Sequence, residues 1–130
     1  MSTLINMDLT NGSVKIGAKQ VKAFIKKLKN ATGANVRLLA EGVAMPESQL
    51  SRMATKETGV LKGQTIRPLK RIEILVNEAE KVLTHDGVKK WITTPNPYLN
   101  DIPPILCLRS DKELEKVLSL LASIGYGFPA

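Results

Sequence analysis

The sequence predicts an all-α protein, in which an N-terminal helix-turn-helix domain is followed by a small helical C-terminal domain. Apolar residues recur at the spacing of a helix face in three segments, residues 17–30, 68–83 and 112–124. Two shorter helical patterns, at 35–43 and 46–54, are separated by only a tight turn. Ser110 and Glu113 have the spacing of a capping box, which predicts a defined start for the last helix.

The chain is assigned three parts on these patterns: an N-terminal arm at 1–14, a helix-turn-helix domain at 15–84 and a C-terminal domain at 85–130. The arm contains a turn signal and shows no sustained period. Gly33 is expected to end the first helix, because glycine takes the left-handed conformation at a helix end without steric cost.

A second long helix is expected to begin at Pro68, after a loop marked by Gly59 and Gly63. Its broad apolar stripe suits the centre of a bundle or a dimer. Beyond it we expect a short helix at 88–92, a segment punctuated by prolines, and a last helix that stops at Gly125.

Composition excludes several classes of protein. The 130 residues contain no uninterrupted apolar run of membrane-spanning length, and the first residues lack a basic start, so we expect a soluble cytoplasmic protein with no membrane partner. The single cysteine, Cys107, cannot form an internal disulfide, and with the single His85 it falls far short of a zinc-ligand set. Cys107 is predicted to be a buried apolar thiol. We therefore expect no metal, no cofactor and no enzymatic activity.

The net charge of +7 is unevenly distributed along the chain. Residues 1–71 contain 13 Lys/Arg against 4 Asp/Glu, whereas residues 72–130 contain 6 against 8. This asymmetry favours a first half that meets a polyanion. The alternative is that the lysines of the first helix form an ordinary solvated face; they are Lys19, Lys22, Lys26, Lys27 and Lys29.

Residues 39–53 fit a helix-turn-helix, which needs a small residue where the helices touch and apolar residues on both sides of the turn. The residues expected to be buried are Leu39, Ala40, Val43, Met45, Leu50 and Met53. Ala44 stands where the turn usually has a glycine, which puts the geometry of the turn in question. An ordinary pair of packed helices remains the alternative.

The second helix of this pair is expected to face the major groove of DNA. Gln49 suits adenine edges, and Arg52 suits guanine or phosphate, whereas Glu47 would repel phosphates. The predicted DNA-binding residues are Ser48, Gln49, Ser51, Arg52 and Lys56.

The segment Trp-Ile-Thr-Thr-Pro-Asn-Pro-Tyr-Leu at 91–99 is the most distinctive part of the sequence. Each proline biases the preceding residue away from helix, so the segment is predicted to form a rigid turn. We expect Trp91 and Leu99 to be core residues that this turn holds against the last helix. Together with Pro-Pro-Ile-Leu at 103–106 and the final helix, the segment resembles the C-terminal toxin-binding domain of the Xre/MbcA/ParS antitoxin family, over about residues 86–130.

The sequence departs from the family's pattern at two places. Asn100-Asp101 stand where many members have paired glycines, and the tail ends in Phe128-Pro129-Ala130, with an extra proline. The first departure changes a turn, and the second affects how the tail would enter a partner.

The resemblance implies an antitoxin that neutralises a RES-domain toxin, an enzyme that destroys NAD, by covering the entrance to its active site. It also implies that the helix-turn-helix part binds and represses the operon's own promoter. The positions carried over as toxin-binding residues are Arg109, Ser110, Tyr126, Gly127 and Phe128. From the residues alone, the two aromatic side chains of this tail either anchor in a partner's pocket or fold back onto their own domain.

A stand-alone helix-turn-helix regulator, with a C-terminal domain that serves only dimerisation, is the alternative function. Both functions imply a homodimer, since helix-turn-helix proteins commonly bind two half-sites. The antitoxin function adds a larger complex with the toxin.

Overall fold

The computed structural model describes residues 14–125 and is predominantly helical, as predicted. Its elements, in chain order, are β1 (Lys15–Gly17), α1 (Ala18–Thr32), α2 (Val36–Gly42), α3 (Glu47–Thr55), β2 (Val60–Lys62), α4 (Gly63–Ala79), α5 (His85–Thr93) and α6 (Asp111–Gly125). Two short 3₁₀ turns, Pro97–Leu99 and Pro104–Leu106, lie between α5 and α6.

The two-stranded ribbon was not predicted from the sequence. Strands β1 and β2 pair antiparallel, with Lys15 opposite Lys62 and Ile16 opposite Leu61. Each strand has three residues, which is too short for apolar and polar residues to alternate visibly. Ile16 is buried, so the ribbon is held to the core at that position.

The boundaries of α4 differ most from the prediction. The helix begins at Gly63 instead of Pro68 and ends at Ala79 instead of residue 83. Pro68 lies in the second turn, where its missing N–H leaves one helix carbonyl without its usual donor. The loop predicted at Gly59 is present at residues 56–59, where Gly59 has φ of +88°, but Gly63 is the first residue of α4 and follows β2 directly.

The predicted end of α1 is confirmed. Gly33 has φ of +71°, and its N–H donates to the carbonyl oxygen of Lys29 at 2.8 Å. At the other end of the chain, α6 includes Gly125 as its last residue.

Helices α2 and α3 pack as a helix-turn-helix. All six side chains predicted as its anchors are at most 9% exposed: Leu39, Ala40, Val43, Met45, Leu50 and Met53. The turn is a Schellman motif, in which Met45 N–H donates to Ala40 O at 2.9 Å and Ala44 N–H donates to Glu41 O at 3.2 Å. Ala44 itself has φ of +58°, so an alanine adopts the left-handed conformation that glycine usually supplies.

One cluster of buried side chains runs through both halves of the chain. Helix α4 contributes Ile66, Leu69, Ile72 and Leu75, none of which is exposed to solvent, and it packs against α1 and α6. Helix α1 in turn packs against α3 and α5. The predicted division at residue 84 therefore lies between segments that share this cluster, and as a boundary between domains it stays a prediction.

Replacing Ala44 with glycine should stabilise the protein. A left-handed conformation costs a residue with a Cβ roughly 1–2 kcal/mol, and part of this gain is offset by the greater entropy of glycine in the unfolded chain. We expect Ala44→Gly to raise the free energy of unfolding by about 0.5–1 kcal/mol in urea denaturation.

The control is Ala23→Gly, at an exposed position inside α1. It should lower the free energy of unfolding by about 0.5–1 kcal/mol, because glycine is unfavourable within a helix. If both variants were destabilised equally, the strain at Ala44 would be excluded.

Candidate functional site

The predicted DNA-binding residues all lie on α3 or at its C-terminal cap. Ser48, Arg52 and Lys56 are exposed, whereas Gln49 and Ser51 are half-buried. The helix is anchored underneath by its buried leucine and methionine, so the exposed side chains belong to a helix whose position is fixed.

Three of these residues, Gln49, Arg52 and Lys56, line one cleft of about 470 Å³. Leu61 of β2 and Thr65 of α4 form its other side. Neither Arg52 nor Lys56 forms a salt bridge within residues 14–125, so both charges are available to an anionic ligand. Ser48 and Ser51 do not line this cleft.

The ribbon adds two basic residues that the sequence did not single out. Lys15 and Lys62 are cross-strand partners, and both are exposed. Like charges directly opposite each other on two strands are destabilising. Lys62 follows Leu61, which borders the cleft of Arg52, so a bound polyanion at this surface would relieve the repulsion.

The lysines of α1 include one that is neutralised within the protein. Lys22 donates to the carboxylate of Glu57, just beyond α3. This ion pair links α1 to the residues that follow α3, at an exposed position. The charge of Lys22 is therefore paired within the protein.

The predicted capping box at the start of α6 is confirmed, with one difference. Glu113 N–H donates to Ser110 Oγ at 3.1 Å. The Glu113 carboxylate accepts from the backbone N–H of Arg109 at 2.9 Å, one residue earlier than the usual pattern. Arg109 is exposed, and its guanidinium has no hydrogen bond within the described part of the chain. The Ser110 hydroxyl, in contrast, has a structural role as a cap and lines a groove along α6.

Arg71 of α4 contacts residues on both sides of Arg109 and Ser110. Its Nε donates to Asp111 Oδ1 at 2.9 Å, and its Nη1 donates to the carbonyl oxygen of Leu108 at 3.3 Å. Arg67 adds a longer contact to Asp111 Oδ2 at 3.4 Å. Arg71 therefore fixes the backbone on both sides of Arg109 and Ser110. Sequence analysis missed it because its partners are about 40 residues away.

The turn that follows α5 is organised by Asn96, which is 4% exposed. Its side chain accepts from Tyr98 N–H, and its carbonyl oxygen accepts from the N–H groups of Leu99 and Asp101, each at 2.9 Å. Asn100 and Asp101 have φ of +58° and +61°. The positions where the sequence lacks paired glycines are thus left-handed, a conformation that asparagine and aspartate tolerate better than most residues.

Leu99 is buried, as predicted, but Trp91 is only half-buried. Trp91 lines a cleft of about 280 Å³ together with Pro95 and Pro97, and its indole N–H is buried without a hydrogen-bond partner. Trp91 packs against the hydrophobic cluster but is only partly buried, so the prediction of a core tryptophan is confirmed only in part. Tyr98 nearby is 55% exposed.

The remaining predicted toxin-binding residues, Tyr126, Gly127 and Phe128, lie outside the described residues.

Cys107 is half-buried, and its thiol contacts the carbonyl oxygen of Pro103 at 3.7 Å. Desolvation raises the pKa of this thiol. Between residues 14 and 125 no three His, Cys, Asp or Glu side chains are placed to hold a metal ion. The helices described are all too short or too polar to cross a membrane.

The contact of Arg71 with Asp111 predicts a pH-dependent contribution to stability. The hydrogen bond from Arg71 lowers the pKa of Asp111, so the pair stabilises the fold above the unfolded pKa, near 3.8, and this contribution is lost as the pH falls through the lower folded value. At pH 7, Asp111→Asn should lower the free energy of unfolding by about 0.2–1 kcal/mol, the range for exposed ion pairs.

The difference between wild type and Asp111→Asn should shrink below pH 4 and vanish in stronger acid. Asp86→Asn, at an exposed aspartate with no ion pair among the described residues, is the control and should show no such convergence. A difference that stayed constant with pH would mean that the aspartate acts only through its shape.

Comparisons with known proteins support the fold. No family model and no curated protein matches the sequence. Among solved structures, a chain of the M. tuberculosis MbcT-MbcA toxin-antitoxin complex is similar, with a TM-score of 0.60 and 18% sequence identity. The similarity covers 84% of this chain and 96% of that one. The resemblance predicted from the sequence is thus confirmed at the level of the fold, across both halves of the chain.

Proposed function

We propose that this protein is the antitoxin of a type II toxin-antitoxin system. It neutralises a RES-type, NAD-degrading toxin by covering the toxin's active site, and it binds its own promoter as a repressor. The observation that carries the proposal is the similarity of fold to a chain of a toxin-antitoxin complex, which covers 84% of this chain. The antitoxin side of the pair is favoured by the motif at 91–99, which resembles the antitoxin family.

The helix-turn-helix supplies the DNA-binding part. A helix with a buried underside and an exposed face that carries Arg52 and Lys56 has the form of a recognition helix. The cleft between α3 and the ribbon holds these two cations beside Gln49, a side chain that pairs well with adenine. We propose that a homodimer presents two such faces to two half-sites of the promoter.

The segment between the second 3₁₀ turn and α6 supplies the toxin-binding part. The Arg109 side chain is free while the capping bond and Arg71 fix the backbone around it. A guanidinium on a fixed backbone loses little entropy on binding and suits a carboxylate or phosphate site. In this proposal the protein acts in the cytoplasm by binding its partners, without catalysis and without a cofactor.

Arg109→Ala should weaken the complex with the toxin while leaving the fold intact, because only the backbone of Arg109 is used in the cap. Loss of a charged hydrogen bond of about 1.5–3 kcal/mol corresponds to roughly a 10- to 150-fold rise in Kd. The measurement is co-expression with the product of the neighbouring gene, scored by growth and co-purification, followed by calorimetry.

Arg37→Ala, at an exposed arginine on α2, is the matched control and should rescue growth like wild type.

Removal of residues 126–130 should abolish neutralisation, with the circular dichroism of the remaining helices unchanged. A wild-type chain that neither rescues growth nor forms a complex would leave the stand-alone regulator as the better proposal.

Arg52→Ala should weaken promoter binding by about 1–3 kcal/mol, roughly 5- to 150-fold, if Arg52 reads a base. Lys56→Ala should reduce the slope of log K against log salt by about one, the effect of losing one phosphate contact. Fluorescence anisotropy with the promoter fragment measures both quantities.

Arg109→Ala serves as the reciprocal control and should bind the promoter normally, just as Arg52→Ala should still neutralise the toxin. Unchanged DNA affinity in both Arg52→Ala and Lys56→Ala would exclude α3 as the recognition helix.

A further inference from the structure

The outward face of the ribbon carries two lysines directly opposite each other. Lys15 and Lys62 are cross-strand partners, and both are exposed. The next position of the ladder is closed by a hydrogen bond from Gly63 N–H to Val14 O at 2.8 Å. Hydrogen-bonded and non-hydrogen-bonded pairs alternate along an antiparallel ladder, so the two lysines form a non-hydrogen-bonded pair, in which side chains approach most closely.

The charges of these two lysines are not cancelled by the chain. Neither Lys15 nor Lys62 has an acidic partner among residues 14–125. Residues 1–13 contain a single acidic side chain, Asp8, and residues 126–130 contain none, so at most one of the two lysines could be neutralised from there. Like charges directly opposite each other on paired strands are destabilising. An anion bound between the two ammonium groups would remove this repulsion.

The opposite face of the ribbon fixes its position beside α3. Successive side chains of a strand point to opposite faces, so Ile16 and Leu61 lie on the face away from the two lysines. Ile16 is buried, and Leu61 is half-buried and borders the cleft that contains Arg52 and Lys56. The lysine pair is therefore presented to solvent by a ribbon that packs next to the proposed recognition helix.

The basic surface at the end of α3 leads into the ribbon through a loop of four residues. A Cβ at Gly59 would lie 3.4 Å from Lys56 Cε and 3.7 Å from its Nζ, so the Lys56 side chain lies against the turn that precedes β2. The acidic residue of this loop, Glu57, is paired with Lys22. The acidic residue of α3, Glu47, lies in the first turn, at the opposite end of the helix.

We propose that Lys15 and Lys62 together bind a phosphate of the DNA backbone, beside the groove that α3 enters. This inference rests on the proposed DNA binding. Cross-strand partners have Cβ atoms about 4.5–5.5 Å apart, so both flexible ammonium groups can reach the same phosphate. DNA is the polyanion that fits, because the lysine pair continues the basic surface of Arg52 and Lys56. Such a contact carries no sequence information and sets the orientation of α3 on the duplex.

The test is the double variant Lys15→Gln/Lys62→Gln, measured by fluorescence anisotropy between 50 and 200 mM salt. The probes are the promoter fragment and an unrelated duplex of the same length. We expect the slope of log K against log salt to fall by about one, and the affinity for both duplexes to fall by the same factor, because a phosphate contact is independent of sequence. An unchanged slope and affinity would overturn the proposal.

The matched control is Lys112→Gln/Lys116→Gln, which removes the same charge from two exposed lysines of α6. It should leave the slope and both affinities as in wild type. An equal effect in the control and in the ribbon variant would show that only net charge matters and would exclude a site on the ribbon.

Arg52→Ala separates this inference from the proposed function. If Arg52→Ala weakens promoter binding and the ribbon variant does not, the ribbon contact is excluded and the proposed repressor stands. If wild type binds the promoter no more tightly than the unrelated duplex, the repressor proposal fails, and a lower salt slope in the ribbon variant still supports the phosphate contact. Failure of wild type to bind either duplex would overturn both.

Thermal unfolding at low salt distinguishes a binding pair from a structural one. Lys15→Gln should raise the melting temperature of the free protein by about 1–4 °C, because it removes the cross-strand repulsion. The same variant should be stabilised less than wild type by saturating duplex DNA. A lower melting temperature of the free variant would show that the lysine supports the fold itself and would contradict the proposal.

Discussion

The close contact of α2 with the turn Pro104–Leu106 fixes how the helix-turn-helix packs against the segment that precedes α6. A Cβ on Gly42 would lie 2.2 Å from the carbonyl oxygen of Ile105, so only glycine fits where these backbones meet. The next residues of α2 run into the Schellman turn and then α3, while the residues after Ile105 lead to Arg109. Helix α3, which is proposed to bind DNA, and the proposed toxin-binding segment are therefore both positioned by this contact.

Helix α4 distributes its side chains among several tasks on different faces. Its fully buried stripe packs the core, Arg71 on one side holds the start of α6, and Thr65 borders the cleft of Arg52. Glu73, which is 3% exposed, lies beside a cleft between α4 and α1.

Sequence reasoning was most accurate where the signal was local. The six anchors of the helix-turn-helix and the Ser110–Glu113 cap depend on residues within one or two turns of each other, and all of them were found. The ribbon, the Arg71 contacts and the cleft of Glu73 each join segments that are distant in the chain. The start of α4 was predicted at Pro68, because proline is expected in the first turn of a helix. The helix begins at Gly63 instead, and its packing on α1 and α6 outweighs that preference.

Net charge alone does not show which basic residues are available for the proposed DNA binding, whereas the ion pairs show which of them already have an acidic partner. Arg67, Arg71 and Lys22 belong to the basic half of the chain, yet each has an acidic partner in the described structure, and the two arginines share Asp111. Arg52 and Lys56 have no such partner, and Lys15 and Lys62 face each other across the ribbon. Phosphate contacts at α3 and the ribbon, part of the proposed function, would require no intramolecular ion pair to be broken first.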